Sequence, residues 1–133
     1  MKKKIIMLID DDKDDRFFFG MALKKSGDYE YRQAESGIAA LEQLQTERVL
    51  PDFIFLDINM SIMNGQECLA ELKKNERLKK IPVIIYTTST SQEDQDSTRK
   101  LGAAYYLPKP MDTSMIAAEI ALALEFCEKL PVV

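Results

Sequence analysis

Residues 53–61 read FIFLDINMS, and the fold turns on what precedes and follows Asp57. Phe53, Ile54, Phe55 and Leu56 form an unbroken apolar run, the pattern of a strand covered on both faces, and the next residue is a carboxylate. Asp57 and Asn59 also suit a simple turn, because such side chains satisfy nearby backbone groups, and Asn64-Gly65 marks a turn soon after. Locally both readings stand. The rest of the chain separates them.

Three further apolar runs have the same character: IIMLI (5–9), PVIIY (82–86) and AAYYL (103–107), while YEYRQA (29–34) alternates instead. Between them, helical spacing covers Asp14 to Lys25, Ile38 to Thr46, Gln66 to Leu78 and Ser91 to Leu101, with Thr113 to Lys129 closing the chain. Strand and helix thus alternate throughout, which predicts an α/β fold: a doubly wound, five-stranded parallel sheet with helices on both faces. Units of this size fit the flavodoxin-like strand order 2-1-3-4-5, a three-layer sandwich. The alternating run at 29–34 then lies on one edge, and Pro108 on the other, where its missing amide is tolerated. The segment SQEDQDSTRKLG (91–102) is almost wholly polar, so the fourth helix has only a thin apolar stripe through Leu101 and should be the least stable.

The 133 residues show no internal repeat or linker and are expected to form one domain without a separate output domain. No apolar stretch is long enough to span a bilayer, and the start MKKKIIMLIDDD carries too short an apolar run for a signal peptide, so a cytoplasmic protein is expected. Cys68 and Cys127 fall in helical patterns and read as packed thiols. A net charge of −4 argues against direct nucleic-acid binding. The chain has no histidine, which removes Ser-His-Asp and Cys-His catalysis, His-ligated zinc and a phosphohistidine of its own. Any chemistry must run on carboxylates, hydroxyls and lysines.

In an open parallel sheet, ligands bind beyond the carboxyl ends of the strands where strand order reverses. The first strand runs into Asp10-Asp11-Asp12 and the third into Asp57, so the topology gathers carboxylates there, and a divalent cation would relieve their repulsion. Asp12, Asp14 and Asp15 suit the N-terminus of the first helix, which leaves Asp10 and Asp11 for the crevice. A calcium loop fails, because its sixth and twelfth places hold Asp15 and Met21. The fourth strand ends in Thr87-Thr88-Ser89 and the fifth in Pro108-Lys109-Pro110. A hydroxyl and an ammonium beside a metal-bound carboxylate form a site for a tetrahedral anion.

LIDDD (8–12), LDINMSIMNG (56–65), YTTS (86–89) and YYLPKP (105–110), in that order and at those strand ends, resemble a CheY-like response-regulator receiver domain of two-component signalling over essentially the whole chain. The resemblance implies that Asp57 is the phosphoacceptor, that Asp10 and Asp11 help hold Mg²⁺ with Asp57 and the Asn59 carbonyl, and that Thr87 and Lys109 bind phosphoryl oxygens. It implies a sensor histidine kinase or His phosphotransfer protein as donor, Tyr106 as an aromatic switch, and a downstream protein met by the face of the fourth helix, fifth strand and fifth helix. Such a protein catalyses only its own phosphorylation and dephosphorylation. Ser61, Thr88 and Met111 depart from the family's common proline, small residue and aromatic. Two other classes are weighed. A haloacid-dehalogenase-like phosphatase would need a second aspartate at Asn59, and a flavodoxin-like FMN carrier would need a hydroxyl- and glycine-rich loop at Asp10–Asp12.

Overall fold

A computed structural model describes residues 3–130. It contains β1 (Lys4–Ile9), α1 (Lys13–Ser26), β2 (Tyr29–Ala34), α2 (Gly37–Thr46), β3 (Phe53–Leu56), α3 (Gly65–Lys74), β4 (Val83–Thr87), α4 (Gln92–Lys100), β5 (Tyr105–Pro108) and α5 (Ile116–Glu128), the last preceded by a 3₁₀ turn over Thr113–Met115. All strand pairs are parallel, as the alternation of elements predicts, and the order is β2-β1-β3-β4-β5, the flavodoxin-like order expected for units of this size. Parallel pairing requires crossovers, and these place helices on both faces.

Successive strand residues feed opposite faces. Met7, Ile9, Ile54, Leu56, Val83 and Ile85 pack with Ala40 and Leu44 of α2 and Leu69 and Leu72 of α3. Ile6, Leu8, Phe53, Phe55, Ile84 and Tyr86 pack with Phe19 and Leu23 of α1 and Ile120 and Leu124 of α5. Phe19 makes edge contacts with Phe55 and Tyr86, ring centroids 4.9 and 5.3 Å apart, which fixes α1 over the centre of the sheet. β2 lies on an edge with a mostly half-exposed pattern, and Pro108 ends the opposite edge strand. Both thiols are buried and unpaired, and burial pushes Cys68 up to about 12 and Cys127 to about 11.

Two helix boundaries differ from the sequence expectation by more than one residue, and β5 begins two residues later than expected. α3 ends at Lys74 rather than running to Leu78, because Asn75 breaks the helix and its side-chain oxygen accepts from the Arg77 amide at 2.8 Å. Leu78 is still buried, so its apolar spacing mimicked a further helical turn. The last helix begins at Ile116, three residues late, because Asp112 caps the intervening 3₁₀ turn through the Ser114 amide.

α4 buries only Thr98. Leu101, just beyond it, packs partly against the core, so the expected thin stripe is present. Polar contacts do much of the holding: Ser91 caps the helix, and Ser89 Oγ donates to Asp94 Oδ2 at 2.6 Å.

Candidate functional site

Each strand-end residue arrives at the crevice for a local reason. β1 pairs on both sides, so the chain continues straight to Asp10, whose amide bonds to the Ala34 carbonyl at 3.1 Å. β3 delivers Asp57 in the same way, its amide bonded to the Ile9 carbonyl at 3.0 Å. Two carboxylates are therefore fixed on adjacent rigid strands and buried. Asp11, one residue further on, is exposed, and its Oδ2 accepts from the Ser61 amide at 3.3 Å.

Asp10, Asp11 and Asp57 each offer an oxygen within 4.8 Å of the others. Asp10 Oδ2 is buried and receives no hydrogen bond; the Lys109 ammonium lies 2.9 Å away but is poorly aligned for one. A buried carboxylate oxygen with an unused lone pair, facing two further carboxylates, fits a hard divalent cation with oxygen ligands. Burial also raises the Asp10 carboxyl, to about 6, against the opposing pull of the Asp12 amide and Lys109. A cation in the trio would reverse that shift.

Lys109 reaches in from the end of β5, where its amide bonds to the Thr87 carbonyl at 2.6 Å. Its Nζ lies 3.2 Å from Asp57 Oδ2 and 2.6 Å from Asp15 Oδ2. Burial alone would lower the lysine, but the Asp15 and Asp10 carboxylates outweigh it and hold it above its ordinary value, so it is a fixed positive charge. Thr87 is fully buried, and its hydroxyl accepts from the Asn59 side-chain amide and the Ser89 amide, both at 3.3 Å. The Asn59 backbone amide donates to Asp57 Oδ1 at 3.1 Å. Asn59 is thus a donor that orients the Asp57 carboxylate, and no acid stands in its place as a phosphatase of the dehalogenase type would need. Tyr106 is half-buried against the core, and its hydroxyl donates to the Ser89 carbonyl at 2.9 Å.

All the expected site residues meet at one end of the sheet except Tyr106, which touches the segment following Thr87 rather than the carboxylates. Asp15 was read only as an acidic residue of the first helical turn, yet it makes the shortest contact to Lys109. The available signal was its position, third in α1, where side chains lean back toward the helix start and hence toward the strand ends. Arg16 was missed as well: its guanidinium donates to the Asp10 carbonyl at 2.8 Å and pins that residue's backbone.

A model of the response regulator receiver domain matches residues 6–121. Response regulator Rcp1 of Synechocystis sp. is 37% identical over 112 residues, covering 80% of this chain and 76% of that protein. Among solved structures, the phosphorylated cyanobacterial phytochrome response regulator RcpA superposes with a TM-score of 0.86 at 29% identity, covering 96% of both chains. The Mn²⁺-bound form of Rcp1 superposes with a TM-score of 0.82 at 31% identity, covering 98% of this chain and 99% of that one. With the strand order, the acidic trio and the lysine all in place, the chain belongs to the response regulator receiver domain family.

Proposed function

We propose that the protein accepts a phosphoryl group on Asp57 from a phosphohistidine of a sensor histidine kinase or phosphotransfer protein, and in doing so switches its protein contacts. The observation that carries this reading is the placement of Asp57 beside one fixed positive charge and within a carboxylate trio fit to hold a second. The Lys109 ammonium lies 3.2 Å from Asp57 Oδ2, and Asp10 and Asp11 complete with Asp57 the set of oxygens suited to a divalent cation. Asp10, Asp11, Asp57 and the Asn59 carbonyl would hold that cation, Mg²⁺. When bound, it would neutralise charge building on the transferring oxygens.

The chain's own part is positioning. A carboxylate oxygen of Asp57 attacks phosphorus in line; the new O–P bond forms as the P–N bond to the donor imidazole breaks, and the imidazole recovers a proton from solvent. The Asn59 amide on Oδ1 leaves the acceptor little freedom to rotate. Lys109 and the Thr87 hydroxyl take phosphoryl oxygens, and hydrolysis by water returns the carboxylate.

Output follows from the same contacts. Thr87, drawn to the phosphoryl group, moves the segment that carries Ser89, to whose carbonyl Tyr106 is tied. α4 rests on few apolar contacts, so the face of α4, β5 and α5 can shift at low cost. That face presents the exposed Met111, Met115, Leu122 and Phe126 to a downstream protein.

The test is phosphorylation by phosphoramidate with Mg²⁺, read by intact mass. The wild type should gain one phosphoryl group and Asp57→Asn none. Equal labelling of Asp57→Asn would move the acceptor elsewhere and end this reading.

A further inference from the structure

Lys109 is a shared cation, and the three carboxylates around it are not equivalent. Its Nζ lies 2.6 Å from Asp15 Oδ2, 2.9 Å from Asp10 Oδ2 and 3.2 Å from Asp57 Oδ2. The shortest contact is with the one residue of the three that lies outside the cation-binding trio of Asp10, Asp11 and Asp57. A dication held by that trio would engage the charges of Asp10 and Asp57 and would repel the ammonium beside it. Asp15 alone keeps its charge for the lysine.

The carboxylate is also delivered from a pinned place. Asp12 caps α1 by accepting from the Asp15 amide at 3.0 Å, and the next residue, Arg16, bonds to the Asp10 carbonyl at 2.8 Å. The lysine it meets is itself confined. The Lys109 side chain is only 9% exposed, with its Nζ 5.5 Å from the centroid of the Tyr86 ring. Little but its charged partners decides where the ammonium sits.

We infer that Asp15 is a positioning residue for phosphoryl transfer: it holds the Lys109 ammonium at the strand ends against the repulsion of a bound divalent cation, and so keeps it available to the incoming phosphoryl oxygens. Asp15 acts through Lys109 and touches no reacting atom. The inference rests on Asp57 being the acceptor, as proposed above.

The experiment measures phosphorylation of the full chain by phosphoramidate across a range of donor concentrations with saturating Mg²⁺, read by intact mass. Asp15→Asn keeps the shape and removes the charge. It should lower the maximal rate about 10- to 100-fold, the usual loss when an outer partner of a reactive group is removed, while changing half-saturation by the donor less than the rate. Asp15→Glu should recover most of the rate, because it restores the anion. On a Lys109→Met background, slow but followed over hours, Asp15→Asn should cause no further loss. An Asp15→Asn protein as fast as the wild type overturns the inference, and so does an equal fold-loss with Lys109 absent. If Asp15→Asn does not fold, Asp15→Ser, at home in a first helical turn, takes its place in the same cycle. A wild type that takes up no phosphoryl group at all removes the function and the inference together; a wild type that is labelled beside an unimpaired Asp15→Asn removes the inference alone.

Discussion

Gly65, the first residue of α3, abuts the backbone that carries Asp57, the proposed acceptor. A Cβ built there would lie 2.4 Å from Ile58 Cα and 2.5 Å from the Asp57 carbonyl oxygen, where ordinary contact begins at 3.4 Å. Gly65→Ala must therefore open a gap of about 1 Å between α3 and the segment following β3, and neither obstacle is a side chain that can swing away. Overpacking of this kind costs about 1–3 kcal/mol. The larger effect is expected on phosphorylation: Asp57 and the Asn59 amide move with Ile58, and a displacement of about 1 Å at a reacting group can slow transfer about 100-fold. Urea unfolding at constant slope gives the first number, and phosphoramidate labelling followed by intact mass gives the second. Gly20→Ala is the control, since the atoms nearest its added Cβ, from 2.8 Å outward, belong to the Tyr31 side chain and not to the backbone beside Asp57. It should lose stability without slowing transfer. If Gly65→Ala were destabilised yet labelled at the wild-type rate, Asp57 would not depend on this contact, and the idea of a clamped acceptor would fail.

Burial lifts the Asp10 carboxyl from 3.8 to about 6, so the folded protein retains a proton there that the unfolded chain has released. This contribution to stability is full below about pH 4 and is lost as pH rises through about 6, so Asp10→Asn should stabilise the metal-free protein at pH 8 and not at pH 4. In the wild type, Mg²⁺ affinity by calorimetry should fall about tenfold per pH unit below pH 6; a flat profile would show that the Asp10 charge plays no part in binding. Ile62 adopts a φ of 67° while almost fully exposed, a conformation that costs a β-branched residue about 1–2 kcal/mol. Ile62→Asn should raise the urea midpoint at unchanged slope. Amide exchange should be faster in α4 than in the middle of any other helix, and protection equal to that of α3 would show that its polar contacts suffice.

The fold was legible because a parallel sheet covered on both faces writes its strands as continuous apolar runs, and IIMLI, FIFL and VIIY have no other comfortable place. The site was legible to the extent that strand ends converge: Asp10, Asp57, Thr87 and Lys109 are placed by topology alone. What escaped depends on side-chain reach or on close contact between elements. An acid at the third position of a helix reads as a dipole partner, so the grip of Asp15 on Lys109 lay hidden until the helix start was seen against the end of β5. Asn64-Gly65 reads as a turn, whereas Asn64 forms a capping box with Glu67 and Gly65 presses on Ile58. The expected end of α3 was wrong because burial of Leu78 by a turn and by a helix looks the same in one sequence.

The position of β1 bears on how the chain survives its own synthesis. This strand is paired on one side by β2 and on the other by β3, whose first residue comes 47 positions after Ile6, its partner in the sheet. Until that later segment has left the ribosome, an apolar ribbon with an open edge is in solution, the kind of segment that recruits other chains. The sequence brackets it with lysines at 2–4 and aspartates at 10–12. Opposite charges at its two ends still permit antiparallel stacking of copies but oppose parallel, in-register stacking, which would place like beside like at every layer. Two of those same aspartates later meet Asp57 at the centre of the site. Replacing them to study chemistry therefore also removes a guard on the nascent strand, and a poor yield of such variants would reflect chains lost before they folded.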